Sequence, residues 1–348
     1  MKTKPFKQLH WLFTLLLFLS GNTFIHGADY HELTANRYAD LLPMQAQIPQ
    51  LYFGEEAPVQ LPDGRLVHPS AVPKVLLPDR NFTVKATPAE VQNNSNSSFQ
   101  TLDPCSIDNA AFQAGERITY KLFYNWNFVW IAAGEVTFIV YDIGNEYHIS
   151  VRGRTYSSYE WFYKVRDHYE SYVDKQTLLP RMHIKDVHQG NYRRYDRTTF
   201  DQGSSRAVSM RGVTRDSLTR KNISFEGCMH DLISIVYYTR NLDVSQLGIG
   251  DEVPITILMD QEIYPLKIKY LGADDNVKVK GAGRYRTQIF SPQLIAGDVF
   301  KEGDEMKIFV GDDANRIPVM ITSPVTVGEV KAVILSTRNL RHPFTARR

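Results

Sequence analysis

Cysteine is scarce in this chain, at two in 348 residues, and so are charge imbalance and long apolar runs. With 40 basic against 38 acidic side chains the net charge is +2, too small for a protein that binds nucleic acid through its overall field. The apolar run within residues 9–19 spans about 10 residues, whereas a membrane-crossing helix needs ~20. Catalytic patterns are missing as well: there is no glycine-serine elbow, no paired cysteine and histidine, and no phosphate-cradling glycine loop. What is present is an apolar fraction of 43%, enough for a real core.

The first residues, "MKTKPFKQLHWLFTLLLFLSGNTFIHGADY", place lysines before the apolar run and small residues around Gly27 and Ala28 after it. This is the layout of a cleaved secretory signal over residues 1–28, with no cysteine after the run to carry a lipoprotein anchor. The mature chain is therefore expected in the periplasm or at the outer membrane, and not membrane-spanning. In that oxidising setting Cys105 and Cys228 are candidates for a disulfide closing a 123-residue loop; two buried thiols, or half of a metal site, are the alternatives. Residues 29–104 are proline-rich, end in "VQNNSNSS" and hold no sustained period, which reads as an irregular tether.

From Phe112 onward, short alternating runs rich in Val, Ile, Tyr, Phe and Thr follow one another between turn signals. Thirteen are expected as strands: 116–124, 129–142, 146–155, 168–174, 181–188, 193–200, 206–211, 252–259, 262–271, 276–290, 305–311, 316–323 and 327–338. The pattern predicts an all-β, mainly antiparallel domain over 105–345, a large curved sheet, barrel or half-barrel. One segment departs from it: "CMHDLISIVYYTRNLD" has helical spacing and predicts a single packed helix near 229–241. The aromatic-rich "YKLFYNWNFVWIAAGEV", residues 120–136, is interrupted by Lys121 and too polar to span a membrane, so it reads as a core hairpin.

Four blocks in order, "AFQAGERITYKLFYNWNFVWIAAGEVTF", "GRTYSSYEWFYKVRDHYESYVD", "CMHDLISIVYYTRNLD" and "DDANRIPVMITSPVTVGEVKA", resemble the domain of unknown function 3108 family of exported bacterial proteins, as it occurs in the Bacteroidetes. The resemblance covers about residues 105–345 and implies no assigned activity. Its pattern includes Gly115 and Glu116, Ala133 and Gly134, Asp231 and Leu232, and Arg316, Ile317 and Pro318, which the resemblance presents as fold markers. The plan it implies, a curved sheet with a helix against it, is similar to the half-barrel of periplasmic lipoprotein carriers, an analogy of fold alone.

Several constellations carry chemistry in principle. His183, Asp186 and His188 include zinc-ligand types, but on a strand 183 and 188 face opposite ways, so no metal and no cofactor is expected. "RDHYE" at 166–170 and "HD" at 230–231 set histidine beside carboxylate without a nucleophile or oxyanion site, and Asp167 and Asp231 are the only hydrolase candidates. The paired aspartates of "GADDN" and "VGDDANR" read as tight turns. Ten basic against four acidic residues from Arg181 to Lys221 make a local net of +6, which behind a secretion signal suits anionic head groups or glycans, or simply solvated outward faces. Tyr124, Trp126, Trp130, Trp161 and Phe162 are the candidate lining of an apolar ligand site. The features favour a non-enzymatic envelope protein holding an apolar or lipid-like ligand; the alternatives are a scaffold docking on an envelope protein partner and an envelope hydrolase.

Overall fold

The computed structural model describes residues 107–126, 129–160, 163–294, 304–325 and 328–348, together with Cys105 and a two-residue ladder of Val59–Gln60 against Leu66–Val67. The signal expected at residues 1–28 and nearly all of the tether lie outside the described residues.

Alternation dominates the rest of the chain. The strands are β1 (Arg117–Trp126), β2 (Val129–Asp142), β3 (Glu146–Thr155), β4 (Val165–Asp174), β5 (Pro180–Gln189), β6 (Tyr192–Asp201), β7 (Arg206–Gly212) and β8 (Thr219–Ser224). After helix α2 (Ser234–Thr239) come β9 (Glu252–Met259), β10 (Glu262–Val279), β11 (Gly283–Pro292), β12 (Lys307–Gly311), β13 (Pro318–Pro324) and β14 (Glu329–Arg338). A single turn, α1 (Ser157–Glu160), links β3 to β4. All fourteen strands form one antiparallel sheet in the order β8-β7-β6-β5-β4-β3-β2-β1-β14-β13-β12-β11-β10-β9. Nearly every connection is a hairpin, and the one long-range pairing, β14 on β1, joins the two runs of hairpins at the centre.

Helix α2 (Ser234–Thr239) is shorter than the expected 229–241. The residues before it do other work. His230 lies alongside β9, donating its N–H to the Thr256 carbonyl at 3.2 Å and accepting from Leu258 N–H at 2.8 Å. The Asp231 carboxylate then takes the N–H groups of Ile233 and Ser234 at 2.6 and 2.9 Å, which starts the helix where backbone donors would otherwise be unsatisfied. Leu232, Ile233, Ile235 and Tyr237 are buried against the inner face of β1–β3, whose Ile118, Tyr120, Leu122, Phe138 and Ile149 form the main core.

Two further differences from the sequence expectation have local causes. β8 was not expected, because "TRKNIS" buries Ile223 alone and so lacks an alternating signal. "GADDN" is no turn: β10 runs through it with register shifts at Tyr270/Gly272 and Asp274/Val277, Gly272 supplying the positive φ, and the turn falls after Val279 instead. "VGDDANR" does turn, between β12 and β13.

Cys105 and Cys228 form the disulfide, with Cα atoms 5.1 Å apart. Closing a loop of this length is worth about 5 kcal/mol in chain entropy. It fastens the start of the described domain beside the segment that leads into α2.

The helix ends on a fully buried ion pair. Arg240 meets Glu116 through Nη1 and Nη2, at 2.6 and 2.9 Å, and also donates from Nε to the Asn315 carbonyl and from Nη2 to the Ala111 carbonyl. Phe112 and Tyr237 flank the cation, their ring centres 5.5 and 5.1 Å away. Gly115, at φ 86°, makes the bend that aims Glu116 inward while its N–H binds the Val140 carbonyl. Removing one partner strands the other charge in the core, at a cost of about 3–5 kcal/mol. Arg240→Met and Glu116→Leu are each expected to lower the urea midpoint by that equivalent, and the double variant by less than the sum of the two. Additive losses in the urea titrations would refute the coupling.

Candidate functional site

The inner face is filled differently along the sheet. Over β1–β3 it is occupied by α2. Over β4–β8 it carries buried polar side chains that receive the tip of the β9–β10 hairpin. Asp260 and Gln261, both at positive φ, make a two-residue turn. Asp260 is bound by Lys185 Nζ at 2.9 Å and Arg211 Nη2 at 2.8 Å. Gln261 donates to Ser209 Oγ, and Lys221 reaches the Gln261 carbonyl and Glu262. Burial pushes the Asp260 carboxyl up, but Lys185 and Arg211 outweigh it and hold the group below its ordinary range. The two end strands, β8 and β9, thus meet through side chains and through the 229–231 segment; among the described residues no ladder joins them.

Over β9–β13 the described residues leave the inner face unfilled. A cavity of about 470 Å³ lies between these strands, α2 and the following segment, residues 240–247. Its sheet wall is made by the inward residues of successive strands: Val253 and Ile255, then Leu266 and Ile268, then Phe290, then Ile308 and Val310. Val236, Leu242 and Leu247 face them from the helix side. Polar groups gather at one end: Tyr270 donates to Gln288 Oε1, Gln288 donates to Asp312 Oδ1, and Arg316 Nη1 binds the Leu242 carbonyl. A concave apolar site with a few convergent polar groups, at a volume within ~300–1,000 Å³, has the form of a small-molecule site.

Of the two aromatic candidates whose side chains are described, Tyr124 and Trp130, neither lines this cavity. Tyr124 is half-buried against the core, and Trp130, on the opposite face of the β1–β2 hairpin, sits beneath Lys331 Nζ at 4.2 Å. Trp126 ends β1, and its side chain, with Trp161 and Phe162, lies outside the described residues. No local signal marks the cavity: "EVPITILM" and "YPLKIKY" alternate as strands packed in a core do.

The histidine-carboxylate block is organised, but on the outer face. Ser150 Oγ lies 2.9 Å from His168 Nε2, and His168 Nδ1 lies 3.4 Å from Glu170, which also contacts His148 and Tyr172. Burial lowers His168 to about 4, so its ring is neutral near pH 7. Ser150 itself is only 3% exposed, and the backbone groups around it are paired across β2–β3 and β3–β4 rather than aimed at an oxyanion. His183 faces inward, 3.5 Å from Asp231, whereas His188 faces outward onto Asp186 at 3.0 Å. Asp231 accepts from Ser171 Oγ and caps α2, a structural use of that carboxylate. In the basic segment, Arg181, Lys185, Arg211, Arg215 and Lys221 are all engaged in ion pairs with acidic side chains.

A curved fourteen-stranded antiparallel sheet wrapped on one short helix, with an apolar cavity in one half, defines the class of protein. The chain belongs to the family described as protein of unknown function (DUF3108), whose model matches residues 118–334. No curated protein matches it. Among solved structures it is similar to a beta-barrel-like protein of domain of unknown function DUF1849 from Brucella abortus, at 7% identity and a TM-score of 0.45, over 66% of this chain and 99% of that one.

Asp167 gives the region a measurable pH signature. It is buried on the inner face of β4, accepting from His188 N–H and Gln189 Nε2, and burial raises it to about 7 from 3.8. A carboxyl raised in the folded state supports folding when protonated, so its contribution is full below pH ~3.8 and lost as pH climbs through ~7. Asp167→Asn keeps an acceptor for His188 N–H and cannot ionise. Between about pH 5.5 and 8.5 the natural chain is expected to lose about 2 kcal/mol more stability than this variant. Parallel chemical-denaturation curves in the two proteins would show the reading to be wrong.

Proposed function

We propose that this is an exported envelope protein that holds an apolar or lipid-like ligand in the cavity under β9–β13. One observation carries the proposal: about 470 Å³ of space walled by aliphatic side chains, with polar groups at one end only. An ordinary core closes such space, because interiors pack to crystal-like density and unfilled volume is costly. Export is supported by the signal-like first 28 residues and by the Cys105–Cys228 disulfide, a bond that persists in oxidising compartments. Among the described residues no helix is long and apolar enough to cross a membrane.

Native mass spectrometry of the protein purified from its own envelope without detergent is expected to show a stoichiometric apolar adduct that is released on denaturation. Ile255→Trp and, independently, Val310→Trp put an indole into the cavity and are expected to weaken binding of an environment-sensitive apolar dye by at least about tenfold with the fold retained by circular dichroism. A bare chain mass together with unchanged dye affinity in both folded variants would dispose of the ligand site.

A further inference from the structure

Resting on that ligand-site reading, we infer that the cavity selects a single-chain amphiphile with a carboxylate head group, a long-chain fatty acid in its ionised form, and that Arg316 binds that carboxylate. The apolar wall takes the chain, and the polar end decides the head group. Two guanidiniums line the cavity, and they are committed to different degrees. Arg240 is neutralised by Glu116 and bound to two carbonyls, so it belongs to the core. Arg316 uses Nη1 alone, on the Leu242 carbonyl and, at 3.5 Å, on the Arg240 carbonyl, at the end of α2. Its Nε and Nη2 have no partner among the described residues, and no carboxylate among them lies within ion-pair distance of it.

Nε and Nη2 form one edge of a guanidinium, with two parallel N–H groups at the spacing of the two oxygens of a carboxylate. The edge that the protein leaves over is therefore one that a carboxylate takes with both oxygens. Arg316 is also held in place at a conformational cost: it sits at φ 48°, unusual for a long side chain, and Asp313 Oδ1 accepts its N–H at 3.3 Å. The acidic groups at this end are turned to other donors. Asp313 also accepts from the N–H groups of Asn315 and Ala346, Asp312 Oδ1 from the Gln288 amide, and the exposed Asp243 from Ser245 N–H. Their presence sets the charge the site tolerates. One free guanidinium edge balances one negative charge, whereas a phosphate monoester brings close to two near pH 7 and would leave the second facing Asp312 and Asp313. An uncharged head group forgoes the charge-assisted hydrogen bonds, which are roughly twice as strong as neutral ones.

The test uses the full mature protein and four probes with the same lauroyl or dodecyl chain: laurate, monolauroylglycerol, dodecyl phosphate and dodecyltrimethylammonium, each below its micellar concentration, displacing the apolar dye at about pH 7.5. Laurate is expected to bind at least about tenfold more tightly than each of the others. Arg316→Gln is expected to lower laurate affinity by at least about tenfold while monolauroylglycerol affinity stays within about twofold. Arg316→Lys, which keeps the charge without the fork, is expected to fall between that variant and the natural chain. The ranking of the probes on the natural chain decides the matter even where neither variant folds. Any other probe binding as tightly as laurate, or Arg316→Gln weakening laurate and the glyceride equally, would overturn the head-group inference and leave the apolar site standing. If no probe displaces the dye, and Ile255→Trp and Val310→Trp leave dye binding unchanged, the ligand-site reading itself falls, and this inference with it.

Discussion

The Glu116–Arg240 pair is the constraint around which the domain is arranged. It joins the approach to the first strand with the end of α2, and through the Asn315 carbonyl it fixes the β12–β13 turn as well. Elements 124 residues apart in sequence are thereby held within one hydrogen bond of each other. Burying such a pair is no bargain in itself, since desolvation offsets most of the Coulomb attraction. Its value lies in geometry: a planar guanidinium held by four hydrogen bonds admits few placements of α2 on the sheet. Several residues singled out in the sequence act around the same helix. Gly115 bends the chain toward Glu116, Asp231 starts the helix, and Arg316 binds the backbone just past its end.

Because the helix is pinned to one half of the sheet, the two halves have different interiors. Under β1–β3 the helix supplies apolar side chains and the core closes. Under β4–β8 the hairpin tip supplies Asp260 to Lys185 and Arg211, so that charges are buried with their partners. Under β9–β13 none of the described residues plays that part, and the aliphatic wall faces the cavity. One placement constraint therefore produces both the solid part of the molecule and the hollow part.

Much of this was legible in the residues, and the failures are instructive. β2, β3 and β9 fall at the residues expected, because each carries an alternating run over part of its length between turn signals. β8 was invisible for the opposite reason: an edge strand with one buried side chain has almost no period to read. The bulges of β10 imitate a turn, since the glycine and aspartates that permit one permit the other. The helix was overextended because Met229 and Leu232 are buried at helical spacing while the chain between them is extended against β9. The cavity was legible least of all. Val253, Ile255 and Ile268 alternate as core residues do, and nothing local distinguishes a wall packed against a helix from one left facing space. Aromatic density drew attention to Tyr124 and Trp130, whereas the hollow lies under strands with few aromatic residues.

The seam between β8 and β9 carries a further consequence. In a closed barrel the radius is dictated by strand number and stagger, because the backbone ladder runs all the way round. Here the ring is completed by side chains: Lys185, Arg211 and Lys221 span the gap to Asp260, Gln261 and Glu262. The perimeter is accordingly a matter of side-chain reach, and it adjusts by rotamer rather than by register. A molecule built this way can change its girth, and with it the volume it encloses, while every strand keeps its partner.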